Sequence, residues 1–483
     1  MGYSEELVQS VDQEAGAGLG PLPASRQQSS IRSVNPATGE LLRVFEPHGV
    51  QEIDKRIHLA EESFKAYSKT SFSERSRWMI NAAELLEAEG PDLASTMTKE
   101  MGKTYASAKA EVAKCAVTMR WFAENAESLL AEEHPSVMGG TARVLYRPIG
   151  PVLAVMPWNF PFWQVTRFVA PALMAGNVGL LKHASNVPQC ALAFEDVIRR
   201  AGFPEGVFQC LLIGSDAVGS VIADPRVRAV TLTGSDGAGM SVASLAGKSL
   251  KKTVLELGGS DPFIVMPSCD LARAVSVAVD ARVQNNGQSC IAAKRFIIES
   301  SVYDQFVEAF VSKMRSLRIG DPFDPSTDVG PLATEAVRTD ADSQVSDAVA
   351  KGAELLCGGS SLKGPGFYYE PTAITAITED MRVHCEEVFA PVALLYEAKD
   401  AQDALKIANT TPYGLGASVW TSDPSEQEFF AEEIEAGMVF FNSMVASTPE
   451  LPFGGIKRSG YGRELSGHGI KEFCNIKTVK IAD

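Results

Sequence analysis

The run Gln284-Asn285-Asn286-Gly287-Gln288-Ser289-Cys290 places a cysteine directly after an amide-rich glycine turn. A thiolate adds readily to a carbonyl carbon, and local donors lower a thiol pKa. Free cysteine is also among the most often buried residues, so its companions decide whether Cys290 is a nucleophile or core filler. Glu256 follows the apolar run Val254-Leu255 and precedes Leu257-Gly258-Gly259. A carboxylate there is costly to bury without a task, and desolvation raises its pKa toward that of a useful general base. Asn159, in Pro157-Trp158-Asn159-Phe160-Pro161, offers an amide N–H to an oxyanion. Lys182, in Lys182-His183-Ala184-Ser185-Asn186, suits a ribose hydroxyl or a phosphate. Gly234 and Ser235, in Thr233-Gly234-Ser235-Asp236-Gly237-Ala238-Gly239, stand where a helix N-terminus can receive a pyrophosphate. The standard GxGxxG dinucleotide fingerprint is absent. Taken singly, these are equally a capping glutamate, a turn asparagine and a surface lysine.

Their shared position argues for a site. Each closes an apolar run that reads as a strand: 152–156, 178–182, 230–233 and 253–257. Another strand is expected at 207–213, and helices at 162–175, 188–201 and 237–248 fall between them. Near-continuous apolar strands alternating with helices make a parallel sheet covered on both faces, and ligands sit at its strand C-termini. A second alternating series runs from 262 to 435. It includes a helix over 271–283, apolar at 271, 275, 278, 279 and 283, and a strand at 295–298 that follows Cys290. Further helices are expected near 302–316, 334–351, 400–409 and 424–435, with strands near 394–397 and 416–420. The fold class is α/β, with two doubly wound lobes and a cleft between them. Four helices, near 50–69, 73–89, 91–101 and 105–132, precede the first sheet, and 142–146 reads as a short strand outside both lobes.

Composition sets outer bounds. The chain has 483 residues, enough for two or more domains, with 45% hydrophobic and 22% charged content. A net charge of −16 argues against nucleic acid or an anionic membrane as partner. Eight cysteines show no CxxC pair and no disulfide framework, and six histidines form no metal-binding set, so a reducing, cytoplasmic setting without a metal site is expected. No run approaches a transmembrane span, and residues 1–30 read as a flexible tail, neither secretory signal nor presequence.

The motifs PWNFP, TGSxxxG, LELGG and GQSC, then Glu386-Glu387-Val388-Phe389-Ala390-Pro391 and Pro452-Phe453-Gly454-Gly455-Ile456-Lys457-Arg458-Ser459-Gly460, together resemble the aldehyde dehydrogenase superfamily. The resemblance runs from about residue 32 to the C-terminus, and six motifs in this order are highly specific. The runs KHAxNV, LELGGSDPF and Glu472-Phe473-Cys474-Asn475 look most like the succinate-semialdehyde dehydrogenase branch. The resemblance implies a Rossmann-like cofactor domain over 31–125 and 147–257, a catalytic domain over 258–450, and a small β bridging domain from 126–146 and 470–483. It implies NAD(P)-dependent oxidation of an aldehyde to an acid, with succinate semialdehyde as the first choice of substrate. Cys290 would attack the aldehyde, Asn159 and the Cys290 N–H would hold the oxyanion, and Glu256 would activate the hydrolytic water. Trp158, Lys182, Ser185, Gly234, Ser235, Leu257, Glu387 and Phe389 would line the cofactor site. The bridging strands would pair subunits into a homodimer or homotetramer.

Two departures from the family pattern matter. Many NAD-using members carry Glu three residues after the lysine, where this chain has Ser185. An uncharged residue lifts the repulsion against a 2′-phosphate, so NADP is expected alongside NAD. Arg167 matches one arginine of the family's substrate-carboxylate clamp, but the second clamp position holds Gln284, with Arg282 two residues before it. Ser447 or Thr448 would add a hydroxyl. Ala292 stands where some relatives carry a second redox-switch cysteine. A CoA-acylating enzyme is the alternative within this chemistry, and Glu256 argues against it because a hydrolytic base wastes the thioester. A non-catalytic protein with this fold is the other alternative, and Cys290, Glu256 and Asn159 argue against that.

Overall fold

Residues 30–483 are described by the computed structural model, so the expected N-terminal tail lies outside the described residues but for its last position. The apolar strands of the first series form a six-stranded sheet. Its order is Gly460–Tyr461, Lys252–Glu256, Ala229–Thr233, Pro151–Met156, Val178–His183 and Phe208–Cys210. All neighbours are parallel except Gly460–Tyr461. Ala229–Thr233 and Phe208–Cys210 are buried at every residue, as a helix-covered parallel sheet requires. The chain starts at the middle strand, Pro151–Met156, adds two strands on one side, then crosses back to add Ala229–Thr233 on the other. That reversal opens a crevice beyond the C-termini of Pro151–Met156 and Ala229–Thr233, where ligands bind in such sheets. The loops at this crevice carry Trp158, Asn159, Gly234 and Ser235.

The second series forms a seven-stranded sheet in the order Glu354–Cys357, Thr372–Thr375, Val392–Ala398, Arg295–Glu299, Pro262–Val265, Gly416–Trp420 and Met438–Phe441. Only Glu354–Cys357 is antiparallel. The helix Leu271–Val283 packs on this sheet and delivers the chain to Cys290. Cys290 and Ile291 then pack against the core of the first lobe, so the cysteine loop reaches across the cleft. Thr141–Pro148 and Cys474–Ile481 pair antiparallel along their whole length, from Thr141 opposite Ile481 to Pro148 opposite Cys474. No described helix is long and apolar enough to cross a membrane.

Sequence reading missed three strands of the second sheet: Glu354–Cys357, Thr372–Thr375 and Met438–Phe441. Each has four residues, too short for alternation to show. It also left 451–469 unassigned. That stretch returns to the first lobe, where Gly460 pairs with Glu256 and Tyr461 with Leu255.

Candidate active site

The cysteine loop is a buried strap. Past Val283, three consecutive residues take left-handed backbone: Asn285 (φ 55°), Asn286 (φ 58°) and Gly287 (φ 77°). Asparagine tolerates that region better than other side-chain-bearing residues. Gly287 is required twice over, because a Cβ there would stand 2.4 Å from the Pro391 nitrogen. The amides then pin the turn. Asn286 donates to the carbonyls of Gly102 (2.9 Å) and Pro331 (3.0 Å) and accepts from the Gly330 N–H (2.9 Å). Asn285 donates to the carbonyls of Asn159 (2.7 Å) and Gln288 (2.9 Å), tying the oxyanion loop to the cysteine loop. Lys294, wholly buried, donates to the carbonyls of Ser289 (2.8 Å) and Cys290 (2.7 Å) and to Glu387 (3.1 Å). Asn159 donates to the Gln288 carbonyl at 3.2 Å, and its own oxygen is buried without a partner.

Two cavities meet at this loop, and Cys290 and Gln164 line both. One, of about 320 Å³, is lined by Trp158, Asn159, Gly234, Ser235, Leu257, Glu387 and Phe389. Trp158 and Phe389 meet edge to face at 5.6 Å. The Ser235 hydroxyl accepts from the Ala238 N–H and caps the helix Asp236–Lys248. Gly258 leaves room for Glu387, whose Oε2 would lie 2.5 Å from a Cβ at that position. Glu387 also accepts from the Gly259 N–H at 3.2 Å. An aromatic mouth, a capped helix N-terminus and a carboxylate held by lysine and a backbone N–H fit a dinucleotide at the sheet's switch point. Lys182 and Ser185 stand apart from this cavity. Both belong to the end of Val178–His183, one strand further from the reversal. Lys182 is half-buried, with its pKa lowered by burial, and Ser185 is exposed beside Leu211 and Ile213.

The other cavity, of about 200 Å³, is lined by Lys114, Trp163, Arg167, Gln284, Ser447 and Phe453, among others. Arg167 is buried, pairs with Glu464 at 2.6 Å and lies 4.3 Å over the Phe453 ring. Ser447 accepts from Lys114 (2.9 Å) and from the Trp163 indole (3.1 Å). Thr448 is half-buried outside the lining. Arg282 is spent on the carbonyls of Gly287 (2.7 Å) and Val392 (3.3 Å), so it presents no charge here. A third cavity, lined by Arg56 and Glu195, shares no residue with these two.

The model of the aldehyde dehydrogenase family matches residues 24–479. The chain belongs to the aldehyde dehydrogenase family. It is 59% identical over 455 residues to an NADP-dependent succinate-semialdehyde dehydrogenase of Mycobacterium tuberculosis, covering 94% of this chain and 100% of that one. It is 60% identical over 456 residues to the Mycobacterium avium enzyme of the same description, covering 93% and 96% of the two chains. Among solved structures it resembles succinic semialdehyde dehydrogenase from Streptococcus pyogenes in complex with NADP (TM-score 0.92, 38% identity, covering 94% of this chain and 100% of that one). The α/β fold and the NAD(P)-dependent oxidation of an aldehyde to an acid read from the motifs are those of an aldehyde dehydrogenase.

Within this family frame, the Cys290 thiol departs from the expectation, and Glu256 has the expected raised pKa but lies outside both cavities. Burial pushes the Cys290 thiol up to about 12, although Arg167 and Lys294 pull the other way. Desolvation therefore outweighs the donors that were expected to lower it. Glu256 is buried, lines neither cavity, and both its oxygens lack a hydrogen-bond partner. Burial first, then neighbouring Glu464, raises its pKa well above the ordinary carboxylate value. Gly454 makes room for it, since a Cβ there would lie 2.6 Å from Oε1. Sequence reading missed Lys114, Trp163, Lys294 and Glu464. One signal was available for the first: Ser107, Ala110, Glu111 and Lys114 form an i, i+3, i+4, i+7 stripe on the helix Tyr105–Leu129, and all four line the cavity.

Proposed function

We propose that this aldehyde dehydrogenase oxidises succinate semialdehyde to succinate, using NADP in preference to NAD. The observation that carries the substrate reading is the 200 Å³ cavity, which runs from Cys290 to a hydroxyl and cations at Ser447, Lys114 and Arg167. A short chain with an aldehyde at one end and a carboxylate at the other matches that polarity. The two mycobacterial relatives bear the same substrate and coenzyme in their names.

In this reading the Cys290 thiol gives its proton to solvent water as its sulfur adds to the aldehyde carbon, giving a thiohemiacetal oxyanion. The Asn159 amide and the Cys290 N–H stabilise the oxyanion. A nicotinamide coenzyme held in the cavity of Trp158, Glu387 and Phe389 would supply a hydride acceptor for that carbon, and the oxidised carbon would remain on Cys290 as a thioester. Glu256 then takes a proton from the water that hydrolyses the thioester. The Glu256 carboxyl forms no hydrogen bond where it rests. Residues 31–125 and 147–257 serve as the cofactor domain and 258–450 as the catalytic domain. Trp158, Phe389, Leu257 and Glu387 would hold the nicotinamide half and Gly234 and Ser235 the pyrophosphate, while Lys182 and Ser185 would serve the adenosine ribose one strand further out. Arg167 and Gln284 face the substrate, and of the two candidate hydroxyls Ser447 lines the cavity while Thr448 does not.

We also propose a homodimer or homotetramer in a reducing cytoplasm. All eight cysteines are free. The ribbon of Thr141–Pro148 and Cys474–Ile481 exposes Ile476 (61%) and Ile481 (62%), and while Glu133 bridges Val144 on one edge, no described strand pairs with the other edge of Cys474–Ile481. Sedimentation at micromolar concentration should give a multiple of 51.7 kDa, and a particle of one chain mass would contradict this. The substrate reading is tested by steady-state reduction of NADP and NAD with succinate semialdehyde and with butanal. The highest kcat/KM should belong to succinate semialdehyde with NADP. Equal kcat/KM for the two aldehydes would refute the substrate, and a preference for NAD would refute the coenzyme.

A further inference from the structure

The substrate-side cavity holds two cations, and the protein neutralises only one of them. Arg167 is paired with Glu464 and hydrogen-bonded to Gln164. Lys114 approaches the cavity from the helix Tyr105–Leu129. Its ammonium donates to Ser447 and lies 4.1 Å from the Trp163 ring centroid, and it forms no ion pair among the described residues. The nearby carboxylate, Glu111, is already engaged. It pairs with buried Lys103 and accepts from the N–H groups of Phe162 and Trp163 at 2.9 Å. A desolvated ammonium with a hydroxyl and an indole beside it, but no anion, is a charge awaiting a partner.

We infer that Lys114, together with Ser447, binds the substrate carboxylate and is the specificity-determining cation of this enzyme, with Arg167 acting mainly to hold Glu464 and the cavity wall. This deepens the substrate reading above and rests on it. It also answers where the second cation lies. Gln284 occupies the clamp position without charge and Arg282 is turned away, whereas Lys114 supplies the charge from the helix Tyr105–Leu129.

The geometry has a pH signature. Lys114 is faced by Glu111 and Cys115 on its own helix, by Arg167 on the helix Trp163–Ala175, and across the cavity by Cys290. Glu111 is held by Lys103 and backbone donors, and burial keeps the Cys115 thiol neutral. Burial and Arg167 bring the Lys114 pKa down to about 8. Above that pH the free enzyme loses the ammonium, so affinity for a carboxylate aldehyde falls as pH rises. Ionisation of Cys290 and Glu256 acts on every aldehyde alike and cancels in a ratio of substrates.

The test compares kcat/KM for succinate semialdehyde and butanal in the wild type, Lys114→Met and Lys114→Arg. Lys114→Met should lower the ratio of the two on the order of a hundredfold, mainly through KM for succinate semialdehyde. Lys114→Arg should recover most of the ratio. Between pH ~7 and ~10 the wild-type ratio should fall, and the arginine variant's should stay flat, because arginine keeps its charge. A wild type that prefers succinate semialdehyde, with a preference that survives in Lys114→Met, overturns the inference and spares the substrate reading. A wild type without that preference overturns both. Should Lys114→Met fail to fold, a pH-independent wild-type ratio overturns the inference by itself.

Discussion

The two cavities that meet at Cys290 are built from different materials. The cofactor side is assembled from strand ends and glycine turns: Trp158 after one strand, Gly234 and Ser235 after the next, Leu257 and Gly258 after a third. It is lined mostly by apolar and aromatic groups, with a single tethered carboxylate, Glu387. The substrate side is assembled from the faces of the helices Tyr105–Leu129 and Trp163–Ala175 and from the loop carrying Ser447, and it carries the cations. A coenzyme common to many reactions is held by backbone geometry, which leaves contiguous motifs. A particular aldehyde is chosen by side chains drawn from distant segments, which leave none.

The largest effect should come from the residue both sides share. Cys290→Ala should reduce turnover by on the order of 10³ or more while NADP still binds, as followed by quenching of protein fluorescence. Loss of NADP binding together with activity would mean that the cofactor wall depends on the cysteine loop, and the two sides would not be separable. Next in size is Glu256→Gln, which should cut steady-state turnover on the order of a hundredfold or more but leave a burst of about one reduced coenzyme per active subunit. An unchanged steady-state rate would make Glu256 a structural carboxyl. The smallest effect sharpens the cofactor side alone. Ser185→Glu should lower kcat/KM for NADP relative to NAD on the order of tenfold, because a carboxylate would meet the 2′-phosphate. An unaltered ratio would show that Ser185 does not face the 2′ position.

This contrast explains what the sequence could disclose. The parallel series was legible because its strands are short, mostly apolar and regularly spaced by helices. The loop at Cys290 was legible because a glycine turn between a helix and a strand is punctuation, and Asn285, Asn286 and Gly287 do adopt the left-handed turn it suggests. Lys294 was hidden because its work is done on carbonyls, which no side-chain pattern announces. Glu464 was hidden because it meets Arg167 across nearly 300 residues of chain, on a segment that returns to the first sheet only through the two-residue strand Gly460–Tyr461. The raised pKa of Glu256 was legible, because desolvation of a carboxylate behind an apolar strand is its largest cause, and only the added push from Glu464 was hidden.

The central claim is that Cys290 carries the substrate covalently at the junction of the two cavities. The most direct measurement is the intact mass of Glu256→Gln mixed with succinate semialdehyde and NADP and quenched in acid, followed by peptide mapping. The account predicts one succinyl group per chain, on the peptide containing Cys290, formed in step with the burst of NADPH. A burst of NADPH with no added mass, or a succinyl group on any other residue, would contradict it.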